Sequence, residues 1–172
     1  MQETIAKLAE TTRNQTPAAW CRLVETRGST PQKAGAGMLV FADGSQAGTL
    51  GGGCVEADVK RQALAAIQSQ AAQLAEFQLD SDYGWDDGLI CGGKMRVLID
   101  PLVDPQAAAY YARLIELYES GDGGTEAIAF DPAKSGIPVG AACLFRHSGE
   151  LLAALRGGPM AKEVSSQLRD NL

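Results

Sequence analysis

Residues 48–56, which read Gly-Thr-Leu-Gly-Gly-Gly-Cys-Val-Glu, connect a predicted strand to a predicted helix and decide how the chain folds around them. Before this stretch, residues 38–50 contain an Asp-Gly turn signal next to an apolar run, which predicts a hairpin. After it, apolar residues recur at helical spacing as far as about Gln70. Three glycines in a row lose much conformational entropy on folding, so Gly51–Gly53 indicate a structural or functional requirement.

Cys54 directly follows the glycine run, at the predicted start of the helix. Free backbone N–H groups at a helix start favour anions, and the missing glycine side chains allow a ligand to approach closely. The same position biases a cysteine toward the thiolate, which is the better nucleophile and metal ligand. A tight strand-to-helix turn followed by a buried cysteine is the alternative, and the local sequence leaves both interpretations open.

A second stretch with a cysteine beside glycines covers residues 85–93, Trp-Asp-Asp-Gly-Leu-Ile-Cys-Gly-Gly. Its aromatic side chains could stack on a flat ring, and its carboxylates could accept hydrogen bonds from an N–H-rich heterocycle. An acidic surface loop whose tryptophan covers the edge of the core is the alternative. The candidate ligand contacts in this stretch are Trp85, Asp86, Cys91, Gly92 and Gly93.

The remaining patterns predict an α/β fold, with a mixed sheet of hairpins flanked by helices. Helical spacing predicts further helices at residues 2–13, 105–119 and 159–170. Apolar runs predict strands at residues 18–27, 38–42, 74–80, 95–100, 125–130, 139–146 and 151–155. In the helix at 105–119, the side chains expected to face inward are Ala107, Tyr110, Leu114, Leu117 and Tyr118.

Composition excludes several classes of protein. The chain has 172 residues, of which 45% are apolar and 21% charged, as in a globular domain. A net charge of −6 offers no basic field for nucleic acid. No apolar run is long enough to span a membrane, and the N-terminus lacks the apolar core of a signal peptide. We therefore expect a cytoplasmic protein with free thiols.

The other cysteines and the single histidine are expected to be idle. Cys21 and Cys143 lie within predicted strands and resemble inert core residues. His147 lies in a predicted turn, and nothing near it supports a catalytic triad. The four cysteines form no CxxC pair, so no metal site is predicted. The fingerprints of dinucleotide-binding and P-loop proteins are absent as well.

Four linked motifs resemble the XdhC/CoxI family, whose members are accessory proteins that mature molybdenum hydroxylases. They cover residues 20–102 in the family's order. The motifs are Glu25–Pro31, Gly37–Val40 with Asp43–Ser45, Gly48–Glu56, and Trp85–Gly93 followed by a strand that ends at Asp100–Leu102. The resemblance implies one domain over residues 1–172, in which residues 103–172 complete the sheet and helices.

The resemblance also implies a ligand and partners. Family members bind the molybdenum cofactor (molybdopterin with its metal), present it for sulfuration and help to insert it into xanthine dehydrogenase-type enzymes. Cys54 and Cys91 match the motif cysteines, the candidates for cofactor or sulfur contact. The other implied cofactor contacts are Gly51, Gly52, Gly53, Glu56, Trp85, Asp86, Gly92 and Gly93. Expected partners are a molybdenum hydroxylase client, a cysteine desulfurase and a second copy of the chain, without nucleic acid or membrane.

Three functions follow as hypotheses. The first is a molybdenum-cofactor chaperone, for which Arg27, Lys33 or Lys94 must offset the negative net charge. The second is a sulfur-transfer or cofactor-modifying enzyme, with Cys54 as nucleophile and Cys91 as resolving thiol. The third is a scaffold for a partner chain, because the family's C-terminal Rossmann-like domain is expected to be missing here. The accessory role is favoured over an enzymatic one.

Overall fold

The computed structural model describes residues 2–79, 93–157 and 164. In chain order its elements are α1 (Gln2–Arg13), β1 (Ala18–Arg27), β2 (Gly37–Phe41), β3 (Gln46–Gly48), α2 (Gly53–Ser69), β4 (Gln73–Gln78), β5 (Lys94–Pro101), α3 (Pro105–Ser120), β6 (Gly124–Ile128), α4 (Pro132–Ser135), β7 (Ala142–Arg146) and β8 (Leu151–Leu155). No helix among them is both long and apolar enough to cross a membrane.

The larger sheet has five strands in the order β3-β2-β1-β5-β4. β1 is central and sends alternate side chains to opposite faces, as the pleat of a strand requires. On one face Cys21 and Leu23 pack in a core with Val55 and Val59 of α2. On the other face, Trp20 packs in a second core with side chains of α1 and α3. The sheet therefore separates α2 from α1 and α3.

The smaller sheet has three strands in the order β6-β7-β8. It shares the second core with α3, since Leu144 of β7 and Leu155 of β8 cluster with Tyr110 and Leu117. A further small core under this sheet contains Cys143 and Phe145, with Val164 packed against it. α3 thus lies between the two sheets and joins them.

A buried polar network reinforces that connection. Arg22 of β1 donates to Glu126 of β6 at 2.7 Å and to the Tyr111 hydroxyl at 3.0 Å. The Tyr111 hydroxyl donates to Asp100 of β5 at 2.7 Å, and Arg156 donates to the same carboxylate at 2.6 Å. Because Asp100 is fully buried, these partners compensate for the water that its carboxylate loses.

The structure confirms the predicted α/β class, with hairpins flanked by helices. Every pair of neighbouring strands among the described residues is antiparallel, and the strands form two sheets. The predicted mixed sheet would contain parallel as well as antiparallel pairs, and no parallel pair occurs among the described strands. The helix predicted at 159–170 lies outside the described residues, apart from Val164, which is helical.

One face of α3 was predicted wrongly. Tyr118 is 49% exposed, whereas Tyr111 and Ile115 are buried. The hydroxyl of Tyr111 explains the difference, because it hydrogen-bonds within the buried network and so turns that side of the helix toward β1 and β5. The short helix α4, at 132–135, was not predicted either; Asp131 caps it by accepting from the Lys134 amide at 3.3 Å.

Candidate functional site

The connection from β3 to α2 is a tight turn whose backbone requires glycine. Gly51 has φ 114°, and Gly52, the residue that caps the start of α2, has φ 83° and ψ −174°. This second combination is open almost only to glycine. The predicted strand-to-helix turn is therefore confirmed, and the glycine run has a structural reason.

The carboxylate of Glu56 holds this turn in place from the first turns of α2. Its Oε1 accepts from the amides of Leu50 and Gly52, each at 2.8 Å, and from the Thr49 hydroxyl at 2.5 Å. Its Oε2 accepts from the Gln46 side chain at 3.0 Å. Partial burial acts to raise the pKa of Glu56, but these hydrogen bonds outweigh it and hold the pKa below its ordinary value.

This arrangement leaves fewer backbone amides free to bind an anion than the sequence suggested. The amides of Leu50 and Gly52 donate to Glu56, and the amide of Gly51 donates to the Thr49 hydroxyl at 3.0 Å. These three donors are therefore already used within the chain. The amides that remain for a ligand are those of the first helical turn, beginning at Gly53 and Cys54, because α2 has no side-chain cap.

Cys54 is a free, exposed thiol at the start of α2, so the alternative of a buried cysteine is wrong at this position. Cys21 and Cys143 are buried, which confirms their predicted place in the core. Burial raises the pKa of both thiols, which keeps them protonated and unreactive. Among the described cysteines, only Cys54 is accessible to a ligand or a reagent.

Three of the sequence motifs meet at this place. A β-carbon on Gly51 would lie 2.7 Å from the ring carbons of Pro31, and one on Gly93 would lie 2.0 Å from the carbonyl oxygen of Ser29. Only glycine at positions 51 and 93 allows the backbone to approach the 28–32 loop so closely. We call residues 28–32, 48–56 and Gly93 together the glycine junction. The sequence showed the motifs, but not that the loop after β1 lies between the other two.

A cleft of about 780 Å³ adjoins the glycine junction. Gly48 and Thr49 line it from one side, and Gln32, Lys33 and the small residues that follow line it from the other. Of the three cations that the sequence suggested for an anionic ligand, Lys33 is therefore the one that faces this cleft.

Arg27 and Lys94 line a different cleft, of about 400 Å³, together with Arg96 and Lys134. They are direct cross-strand partners at the ends of β1 and β5 that lead into the glycine junction. Like charges directly opposite each other destabilise a sheet. Glu25 offsets part of this repulsion by accepting from Arg27 at 2.8 Å. Lys94 makes no ion pair with any described residue, so a positive charge is left at this edge.

The remaining predicted site residues divide into two groups. Trp85, Asp86, Cys91 and Gly92 lie outside the described residues, so their contribution stays a prediction. His147 is exposed in the turn between β7 and β8, as predicted. No cluster of three or more histidine, cysteine or acidic side chains suited to a metal ion occurs in the described ranges.

The role of Glu56 was only partly foreseen. From the sequence, Glu56 was expected only as an implied cofactor contact, whereas its carboxylate turns back and accepts from the amides of the glycine turn. A signal was present, because an acidic residue one turn after a helix start often accepts from the first free amides. The sequence could not show that Arg27 and Lys94 lie opposite each other, because only the register of β1 and β5 brings the two cations together.

Comparison with known proteins gives one family match and several relatives. The model of the XdhC and CoxI family matches residues 11–78. The uncharacterized protein YqeB of Escherichia coli (strain K12) is 42% identical over 94 residues, which are 55% of this chain and 17% of that protein. A probable xanthine dehydrogenase subunit of Bacillus subtilis (strain 168) is 29% identical over 120 residues, 69% of this chain and 36% of that protein.

Among solved structures, the chain is similar to a crystal structure of a xanthine dehydrogenase from Bacillus halodurans. The TM-score is 0.73 at 25% sequence identity, over 90% of this chain and 46% of the other. The chain thus spans less than half the length of each of these relatives. Of the glycine junction, residues 28–32 and 48–56 lie within the range that the family model matches.

Proposed function

The chain belongs to the XdhC and CoxI family, and from this premise we propose that it is an accessory protein of a xanthine dehydrogenase-type enzyme. In this role it binds the molybdenum cofactor, presents it for sulfuration and assists its insertion into the client. The single observation that carries the proposal is the glycine junction, where the 28–32 loop lies against both Gly93 and Gly51, three residues before the exposed Cys54.

The residues at the junction suit the chemistry of such a ligand. Molybdopterin carries a phosphate, a flat pterin and a soft dithiolene-bound metal. The uncapped amides at Gly53 and Cys54 suit a phosphate, and so does the cation Lys33, which lines the cleft beside the junction. A β-carbon on Gly52 would meet no atom within 4 Å, so there is open space beside Cys54. The sulfur atom of Cys54 suits a soft metal or a transferred sulfur.

When bound, the cofactor would supply the redox-active metal, whereas the chain would bind and orient it. Cys54, the amides next to it and Lys33 are the described residues that we propose hold it. Glu56 acts indirectly, because its hydrogen bonds fix the glycine turn and so position Cys54. We further propose that Trp85 and Cys91, which lie outside the described residues, contribute to the same site.

A second function, sulfur transfer, is supported by the exposure of Cys54. In this case a cysteine desulfurase would load Cys54 with a persulfide. A second thiol, for which Cys91 is the candidate, would attack the Cys54 sulfur, form a disulfide with it and release the outer sulfur as sulfide for the cofactor. A persulfide mass shift on Cys54 after incubation with a desulfurase and free cysteine supports this function. If no persulfide forms on Cys54 in a preparation that still binds the cofactor, only the chaperone role remains supported.

The accessory role can be tested by activation of a client enzyme. A cofactor-free xanthine dehydrogenase-type enzyme is mixed with isolated molybdenum cofactor and the chain, and oxidation of xanthine is then followed. We expect wild type to increase the rate of activation, and Cys54→Ser to lower that gain at least tenfold. Ala65→Ser makes a matched change on the exposed side of α2 and should activate like wild type. Equal activation with and without the chain would contradict the proposal.

A further inference from the structure

The cleft of about 400 Å³ lies at the end of the larger sheet where β1, β5 and β4 run side by side. Its volume falls in the range of about 300–1,000 Å³ that is usual for small-molecule sites. Most of the residues that line it are charged or polar, and none of them lines the cleft beside the glycine junction. It is therefore a separate candidate site for a charged ligand.

Three side chains with N–H donors form a row across the ends of these strands. Lys94 of β5 is the direct partner of Arg27 on one side and of Gln78 on the other. All three side chains are exposed and line the cleft. Directly paired residues point to the same face of a sheet, with β-carbons about 4.5–5.5 Å apart, so neighbouring head groups can reach one ligand. We call Arg27, Lys94 and Gln78 the terminal row.

The next row on the same face is neutralised by its own members. Arg96 of β5 lies between Glu25 of β1 and Glu76 of β4 in the register. It forms ion pairs with these two carboxylates at 3.2 Å and 2.9 Å. Glu25 also accepts from Arg27 at 2.8 Å, so two arginines share this one carboxylate. Glu25 therefore offsets only part of the positive charge beside it.

The start of α4 brings a further pair of opposite charges to the cleft. Asp131 lies 3.1 Å from Lys134 and 3.6 Å from Arg96. Among the described residues, the four cations that line the cleft outnumber the three carboxylates that pair with them by one. In the same part of the chain, the side chains of Lys94 and Gln78 have neither an ion pair nor a hydrogen bond. The unmatched positive charge therefore lies at the terminal row.

A phosphoryl group matches the terminal row better than a carboxylate does. It carries a charge of about −1.5 to −2 at pH 7 and three strong acceptor oxygens, one for each side chain of the row. A carboxylate has only two oxygens and a single charge. Arginine and lysine are both common phosphate binders. An anion at this place also offsets the repulsion between Arg27 and Lys94, which lie directly opposite each other.

We propose that the terminal row binds a phosphoryl group, and that the rest of the cleft holds the body of the phosphorylated ligand. The proposal does not rest on the proposed function, because the two clefts have no lining residue in common. A failure of either proposal therefore leaves the other standing.

Three anions at equal ionic strength test this site in the full chain: glycerol 3-phosphate, inorganic phosphate and acetate. Binding is followed by NMR through the side-chain amide signal of Gln78, which is identified by its loss in Gln78→Leu. We expect both phosphates to shift this signal in a saturable way and acetate to bind at least tenfold more weakly. Tighter binding of glycerol 3-phosphate assigns the site to a phosphate ester, and equal or tighter binding of inorganic phosphate assigns it to the free ion.

Two matched variants at exposed lysines make the test specific. Lys94→Met keeps the length of the side chain, removes its charge and should weaken both phosphates at least tenfold. Lys33→Met makes the same change in the cleft beside the glycine junction and should leave the response of Gln78 unchanged.

The proposal is overturned if neither phosphate moves the Gln78 signal, as would happen if an acidic side chain of residues 80–87 already neutralised the terminal row. It is also overturned if acetate binds equally well, if Lys94→Met has no effect, or if Lys33→Met weakens the response as much as Lys94→Met does.

Discussion

At the residue scale, Cys54 and Glu56 in the first turn of α2 have different roles. Glu56 turns inward and accepts three hydrogen bonds at Oε1, so it is a structural residue of the junction. Cys54 is exposed and has no structural task in the described contacts. The sequence placed both among the candidate cofactor contacts and could not separate them, because the direction of a side chain at a helix start depends on the turn before it.

Replacing Glu56 by glutamine should destabilise the fold. Hydrogen bonds to a charged acceptor contribute about 1.5–3 kcal/mol each, so we expect a loss of about 2 kcal/mol in the free energy of unfolding at pH 7. The folded state lowers the pKa of Glu56, so its contribution is full above the ordinary pKa of a glutamate. It is lost as the pH falls through the lowered value.

Urea denaturation of wild type and Glu56→Gln between neutral and acidic pH measures this effect. The difference between the two proteins should shrink as the pH falls. Glu119→Gln, at an exposed position of α3, is the control and should match wild type throughout. A difference that is constant with pH would show that the carboxylate charge of Glu56 has no part in the effect.

The described cysteines should differ sharply in reactivity. Iodoacetamide at neutral pH should modify Cys54 in the native protein, because its thiol is exposed. Cys21 and Cys143 should resist until the chain is unfolded in urea, since burial both shields them and raises their pKa. Peptide mass spectrometry assigns the sites. Native modification of Cys21 at a rate similar to Cys54 would contradict the described core.

At the scale of elements, most helices and strands followed from the sequence within one to three residues, including β1 and β8 without error. Local patterns were sufficient there because each element has a continuous apolar face. Contacts between elements were not predictable, since they depend on register and long-range packing. The approach of the 28–32 loop to Gly51 and Gly93, and the pairing of Arg27 with Lys94, are examples.

The glycine junction should therefore be sensitive to a single methyl group. In Gly93→Ala the new β-carbon would meet the backbone carbonyl of Ser29, which cannot move like a side-chain end. Overpacking of this kind costs about 1–3 kcal/mol, and we expect the upper part of that range. Gly121→Ala is the control: its φ of 73° is unfavourable for alanine, unlike the backbone at Gly93, but its β-carbon meets nothing within 4 Å. It should cost only about 1 kcal/mol. Thermal and urea denaturation compare the two, and an equal loss would argue against close contact at Ser29.

At the scale of the whole molecule, the two sheets are joined through α3 and the buried network around Asp100 and Arg22. The class of fold was predictable because it follows from the apolar pattern of each element. The division into two sheets was not predictable, because it depends on long-range contacts such as this network. Its members are scattered along the chain from Arg22 to Arg156, and only Asp100 belongs to one of the four motifs. Only the folded chain brings them together.

Asp100→Ala should weaken both sheets together. It leaves the Arg156 charge and the Tyr111 hydroxyl without their buried acceptor, a change that typically costs about 3–5 kcal/mol. Asp122→Ala removes a surface carboxylate near Arg146 and should cost less than about 1 kcal/mol. Urea unfolding followed by circular dichroism measures both. Separate transitions in wild type would contradict the view that the network couples the sheets.

The most direct test of the cofactor site is equilibrium titration of the chain with isolated molybdenum cofactor, comparing wild type, Cys54→Ser and Ala65→Ser. If the glycine junction is the binding site, wild type and Ala65→Ser bind alike, and Cys54→Ser binds at least tenfold more weakly. Absence of binding by wild type, or equal binding by Cys54→Ser, would contradict the account.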